Sequence, residues 1–305
     1  MNFVALLLGL GVERLLTHLF HLREFRWLDP VFDWLTDSLA GVSPTGAVLR
    51  VAALTAAIVL PVGLASVMLS GALYQIPYFA LAVFVLLFSL GPRDLQIEAD
   101  DYCAAVLKGD HDEVRQVTRE MWEGDPDEDP ETHIRCVQRA VYIQANNRIF
   151  AVVFWFVVLG PTGAWMFRVL DLLRRRLAFQ YMRAEGETHN AAMIWAVRSL
   201  HGLLAWLPAR LLIIGYALAG SFDSAISAWR GNFSAPRAEF FVVTNDLLDC
   251  VGSAAAVHQS NLDDDSGDEP VAAVRVAEAM GLVRRTLWWI WCPVIAILTL
   301  TDWLS

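Results

Sequence analysis

Residues 47–90 read AVLRVAALTAAIVLPVGLASVMLSGALYQIPYFALAVFVLLFSL, and the single charge in the stretch, Arg50, stands near its start. Two apolar segments, Ala47 to Ala72 and Leu73 to Leu90, meet at a short turn marked by Gly71 and Pro77. A hydrocarbon core of about 30 Å takes about 20 apolar residues in a helix, and backbone polar groups in lipid must be satisfied within the segment. The stretch is therefore expected to form a transmembrane helical hairpin, and the chain an all-α, polytopic membrane protein. Composition agrees. Of 305 residues 56% are hydrophobic, 12 are Trp, and the mean hydropathy is +0.44, above what a soluble domain carries. The chain reads as a single membrane domain over residues 1–305, without the internal repeat that marks many transporters.

Working outward, Met1 to Gly11 is apolar but has neither a basic n-region before it nor an A-x-A-like site after it. It is expected to remain as a first span near 1–20 rather than to be cleaved. Arg14, Arg23 and Arg26 follow that segment, Arg50 and Arg93 flank the hairpin, and Ser70 to Pro77 has no basic residue. The positive-inside bias then places the hairpin flanks, and the segment from Arg93 to Arg148, in the cytoplasm. Ile149 to Leu170 conflicts with a simple crossing, because Arg148 precedes it and Arg168, Arg174, Arg175 and Arg176 lie at or beyond its end. Gly160, Pro161 and Gly163 break its middle, so an interrupted or re-entrant helix is expected. Leu203 to Gly220, which holds Pro208 and Arg210, is expected to be interrupted in the same way. Trp288, Trp289 and Trp291 follow Arg284 and Arg285 and mark the entry of a last span near 287–304. The expectation is four full spans, near 1–20, 47–72, 73–91 and 287–304, with two interrupted helices.

Residues 92–148 form an acidic, mostly helical cytoplasmic segment in which Asp and Glu outnumber Lys and Arg two to one. The run Gly124-Asp125-Pro126-Asp127-Glu128-Asp129-Pro130-Glu131 separates two helical patterns, Ala99 to Trp122 and Thr132 to Phe150. In the second, Ile134, Val137, Val141 and Ala145 make an apolar stripe that calls for a packing partner. A net charge of −10 opposes a nucleic-acid groove. The acidic cluster Asp263, Asp264, Asp265, Asp268 and Glu269 fails the EF-hand spacing, with Val274 where the closing Glu would stand, and reads as a solvated loop. His133 and Cys136 stand three residues apart without a second ligand pair, so no metal is expected. Cys103, Cys136, Cys250 and Cys292 suggest no disulfide framework. Lys108, the only lysine, lacks the glycines of a phosphate-binding loop, and there is no GxSxG or HExxH. No cofactor is expected, and the lipid bilayer is the first partner.

Polar residues set in apolar surroundings are the candidate site. They are Glu13 and Arg14 in the first segment, Asn147 and Arg148 at the entry to the broken helix, and Arg168 and Arg210 beside the Gly-Pro and Pro interruptions. The competing reading is that Arg148 and Arg168 snorkel to headgroups and that Glu13 pairs structurally with an arginine.

At these residues the chain resembles a known family. Asn2-Phe3 leading to Glu13-Arg14, Phe154-Trp155-Phe156 running into Gly160-Pro161-Thr162-Gly163-Ala164 and Arg168, and Trp206-Leu207-Pro208-Ala209-Arg210-Leu211 before Tyr216-Ala217-Leu218-Ala219-Gly220 together are similar to AmpE, an inner-membrane family linked to regulation of β-lactamase induction. The resemblance implies a non-catalytic regulator or sensory transducer in the bacterial inner membrane, with a small cell-wall-derived ligand or a partner protein. It also implies that Gly160, Pro161, Gly163, Pro208 and Ala209 are backbone elements of family motifs. AmpE is in turn similar to the CobD/CbiB cobalamin-biosynthesis family, which attaches an aminopropanol arm to an adenosylated corrinoid, and Pro208-Ala209-Arg210-Leu211 is the clearest shared element. That implies the alternative of an amide-forming membrane enzyme in which Glu13, Arg148 and Arg210 converge. The chain departs from the enzyme branch after Arg176, where it runs Leu177-Ala178-Phe179-Gln180-Tyr181-Met182, and before Pro208, where an acidic approach is replaced by Leu200-His201-Gly202-Leu203-Leu204-Ala205-Trp206.

Overall fold

The computed structural model describes residues 30, 32–33, 43–70, 76–90, 95–122, 130–183, 191–232, 240–260 and 271–297, and every regular element among them is helical. The expected first span near 1–20, with Glu13 and Arg14, lies outside the described residues, as do residues 123–129 and 261–270 of the acidic runs.

The hairpin forms as α1 (Pro44–Ser70) and α2 (Ile76–Ser89). Pro44 takes the first helical position, where its missing N–H costs nothing, and the Ser43 hydroxyl accepts from the Gly46 amide at 3.3 Å. Buried hydroxyls in these helices turn back on the preceding turn: Thr55 donates to the Val51 carbonyl at 2.8 Å and Ser89 to that of Val85 at 2.7 Å. α1 is long and apolar enough to cross a bilayer. α2, with 14 residues, is not: about 21 Å of helix falls short of the about 30 Å of a hydrocarbon core. Of the expected span at 73–91, the described part is the apolar helix Ile76–Ser89, and residues 73–75 and 91 lie outside the described residues.

Beyond the hairpin come α3 (Leu95–Lys108), α4 (His111–Trp122) and α5 (Pro130–Gln144). The single helical pattern expected over Ala99 to Trp122 is two helices. Gly109 adopts φ +70° to end α3, and the Asp110 carboxylate caps α4 by accepting from the Asp112 and Glu113 amides, both at 3.1 Å. α5 passes through a π-helical stretch, Ala145–Phe150, into α6 (Ala151–Arg183). The expected stripe is present, with Val137, Val141 and Ala145 buried. α7 spans Ala191–Ala219, followed by α8 (Phe222–Asn232), α9 (Phe240–Ser260), α10 (Val271–Arg285) and a second π-helical stretch, Thr286–Trp291. The expected last span is helical as far as residue 297, and its remainder lies outside the described residues. Among the described residues, three helical segments are long and apolar enough to cross a membrane: Pro44–Leu69, Thr132–Gln180 and Ala191–Ala219. The chain is an all-α membrane protein.

The two interruptions expected from proline differ in outcome. In α6 the break is real: Gly160 has φ +66° and ψ −154°, a conformation open essentially to glycine alone, and Pro161 begins the helical turns that follow. In α7 the helix runs unbroken through Pro208, which corrects the expected interruption of Leu203 to Gly220. A proline leaves the carbonyl four residues earlier without its amide partner. Here that carbonyl, Leu204, accepts from the Trp155 indole N–H at 3.1 Å, so the helix continues without an orphaned acceptor.

The described residues divide into two compact units. One holds α1, α2, α6 and the N-terminal half of α7. Its core is a seam of Val169, Leu170, Leu173 and Leu177 on α6 packed with Val51 and Val59 of α1, Val85 of α2, and Met193, Ala196 and Val197 of α7. The other unit holds α3, α4, α5, the C-terminal half of α7 and α8 to α10. Within it α10 packs on α3 and α5, and α9 on α5 and α8.

Candidate functional site: an arginine cluster on a buried carboxylate

Just beyond the broken turn, α6 carries Arg168, Asp171, Arg174 and Arg175. Spacings of three and four residues put them on one helical face, with a guanidinium one turn before the carboxylate and two one turn after. Asp171 is fully buried and accepts from Arg168 at 3.2 Å, from Arg174 through Nε at 3.3 Å and its terminal nitrogen at 2.9 Å, and from Arg175 Nε at 3.1 Å. His201 of α7 brings Nε2 to 3.5 Å from the same carboxylate, and its ring packs beside Phe167, with centroids 5.1 Å apart. Isolating a carboxylate from water costs several kcal/mol, and this one is held by charge-assisted bonds that offset the cost. The Arg168 side chain is 1% exposed, whereas Arg174 and Arg175 are 19% and 23% exposed, so the inner end is sealed and the outer end reaches solvent. Arg176 serves a separate pair. Its guanidinium grips Asp33 at 3.0 to 3.2 Å, and Gln180 donates to the same carboxylate at 2.8 Å.

The structure therefore corrects the snorkelling alternative for Arg168 and Arg148. Both are buried, Arg168 against Asp171 and Arg148 beside Asn147 in the π-helical stretch. Gly160, Pro161 and Gly163 are buried at the break, where a β-carbon on Gly163 would overlap the Trp155 carbonyl oxygen. Pro208 and Ala209 are buried in α7, and Arg210, half-buried, stacks over Trp206 with 5.9 Å from its guanidinium carbon to the ring centroid. Asn147, Arg148 and Arg168 belong to one compact unit and Arg210 to the other. Asp171 and His201 are missing from the site expected from the sequence. Reading Arg-x-x-Asp-x-x-Arg-Arg as one helical face would have found the first; His201, 30 residues away, carries no such local signal.

His133 is a structural residue. Its Nε2 lies 2.8 Å from the Thr118 hydroxyl and its ring stacks on Tyr102 at 6.4 Å. Among the described residues no group of three or more His, Cys, Asp or Glu side chains is placed to hold a metal ion.

A sequence model of the family described as "Regulatory signalling modulator protein AmpE" matches residues 1–303. The chain belongs to the AmpE family. Among curated proteins it is 25% identical over 219 residues to Protein AmpE of Shigella flexneri, covering 70% of this chain and 74% of that one. It is also 30% identical over 152 residues to Cobalamin biosynthesis protein CobD of Stutzerimonas stutzeri, covering 49% of this chain and 48% of the relative. The CobD of Chromobacterium violaceum is 30% identical over 185 residues, covering 60% and 56%. This AmpE-family chain thus spans about half the length of the two cobalamin-biosynthesis relatives it matches. No solved structure matches it.

Proposed function

We propose that this AmpE-family chain is a non-catalytic regulator in the bacterial inner membrane that couples the state of the cell wall to β-lactamase induction. The observation that carries this is the family match over residues 1–303. The Asp171 cluster supports it physically. Three guanidiniums are committed to one buried carboxylate, and arginines that stay charged are poor proton carriers, which fits a structural ion-pair cluster better than acid–base catalysis. The test is deletion of the gene in a host with an inducible β-lactamase, followed by enzyme assay after a sub-inhibitory β-lactam. Induction is expected to change, to be restored by the wild-type chain, and not to be restored by Arg168→Ala. Unchanged induction in the deletion strain would overturn the proposal.

A second reading, an amide-forming membrane enzyme, is favoured by the two CobD relatives at 30% identity. Rescue of a cobalamin-pathway mutant by this chain would establish it. Failure to rescue, with the protein present in the membrane, would exclude corrinoid chemistry.

A further inference from the structure

One helix of the second unit carries a charge that nothing described in the chain answers. Between Arg198 and Asp223 the only charged residue is Arg210. It lies inside the crossing-length helix α7, about 18 Å along the axis from Arg198 and about 14 Å from the helix end at Ala219. Among the described residues its guanidinium has a single partner, the Trp206 ring at 5.9 Å, and makes no ion pair. A contact with a ring face uses no hydrogen bond, so the donors of the guanidinium fork stay uncommitted. Trp206 stands one turn earlier, so the side chain is drawn away from the nearer end of the helix and toward the middle of the apolar run.

The face that bears Arg210 is an exposed one. Trp206, Leu207, Ile214 and Leu218 recur with it at spacings of three and four residues and are all exposed, whereas Ala209, Leu212, Ile213, Tyr216 and Ala217 on the opposite side are buried. Apolar residues on such a face suit lipid, but an arginine among them does not: ionisable groups at membrane depth pair with one another or face a protein interior. Headgroup phosphates lie beyond the ends of the run rather than at its centre. A second copy is a poor source of the missing anion, because among the described residues of the three crossing segments the one carboxylate is Asp171, buried and held by three arginines.

We infer that this face of α7 docks a transmembrane helix of another protein, and that a carboxylate at mid-membrane depth on that helix pairs with Arg210. A planar fork and a carboxylate match in two parallel hydrogen bonds, and each charge relieves the burial of the other. The inference rests on the regulatory proposal, which calls for a protein to receive the signal, and it names the chemistry of that protein's contact.

The test places the dye-labelled full chain in phosphatidylcholine vesicles with a dye-labelled synthetic oligo-leucine helix that carries one central glutamate, and reads energy transfer between them. The control helix has glutamine at that position. The glutamate helix is expected to bind saturably and about tenfold more tightly than the control, and Arg210→Gln is expected to erase the difference. Arg210→Glu should reverse the preference, so that a helix with a central lysine binds better than one with glutamate; this gain keeps the test sharp if Arg210→Gln folds poorly. Equal binding of the glutamate and glutamine helices, or a preference that survives Arg210→Gln, would overturn the inference. Two further results would overturn it by giving the face another occupant: Arg210-dependent energy transfer between two labelled populations of the chain, or loss of the preference when phosphatidylglycerol is added to the vesicles. A carboxylate preference in a chain whose deletion leaves β-lactamase induction unchanged would sink the regulatory proposal and keep the docking face; altered induction without the preference would do the reverse.

Discussion

At the scale of single residues, Asp171 matters most to the first unit, because one carboxylate organises three arginines. Replacing it by alanine leaves Arg168 buried beside an uncharged side chain, and breaking a buried pair from one side costs about 3–5 kcal/mol. Asp171→Ala is accordingly expected to lower the unfolding midpoint in detergent far more than Asp33→Ala, whose carboxylate is partly exposed. Equal effects would refute the special place of Asp171. Of the arginines on this face, Arg168 was legible as a candidate because a charged residue in an apolar run is costly and therefore conspicuous. Its carboxylate was not, because Asp171 stands out only as the centre of an i−3, i+3, i+4 pattern of arginines. A pairing such as Arg176 with Asp33, separated by 143 residues, is invisible to any local spacing rule.

At the scale of elements, proline and glycine in the two family motifs do different work. Gly160 holds a backbone conformation that a side chain strains, so Gly160→Ala is expected to cost about 1–3 kcal/mol, while Pro161→Ala, at the start of a helical stretch, changes little. Pro208 is tolerated because Trp155 supplies the donor it lacks. Trp155→Phe should cost about 1–3 kcal/mol by orphaning the Leu204 carbonyl, and the loss should shrink when Pro208→Ala restores an amide. Additive effects in that double-mutant cycle would disprove the compensation. The sequence rule that proline interrupts a helix thus succeeded where glycine stood beside it and failed where a distant indole intervened. In the second unit, burial raises the carboxyls of Asp249 on α9 and Glu278 on α10 above their ordinary values, with Arg139, 3.6 Å from Asp249, opposing part of that shift. The folded chain therefore binds these protons more tightly than the unfolded one, and this contribution to stability rises as pH falls from neutrality toward the ordinary carboxylate range near about 4, then levels off. Asp249→Asn should flatten part of that rise in unfolding midpoints recorded against pH; an unchanged slope would show that Asp249 is not its source.

At the scale of the whole molecule, the membrane class was plain from the hairpin, because a long uncharged run has few other homes. The number of crossings was less legible: a 14-residue helix and a 49-residue helical segment both depart from the length rule on which span counting relies. The arrangement that the charge bias favours keeps the chain from Arg168 to Arg198 on the cytoplasmic side. Ser199→Cys in a cysteine-free chain is then expected to resist an impermeant thiol reagent in intact cells and to react after permeabilisation. Labelling from outside would reverse that placement. The division into two units also bears on how the protein is made. The first unit draws its residues from before 92, from 147–205 and from 295 onward, so neither unit is one continuous stretch of chain. Synthesis must pass residue 295 before that unit has all its parts. Insertion can begin with the hairpin, and a nascent chain halted near residue 200 would wait in the bilayer with its early helices placed and the segment from residue 295 still untranslated.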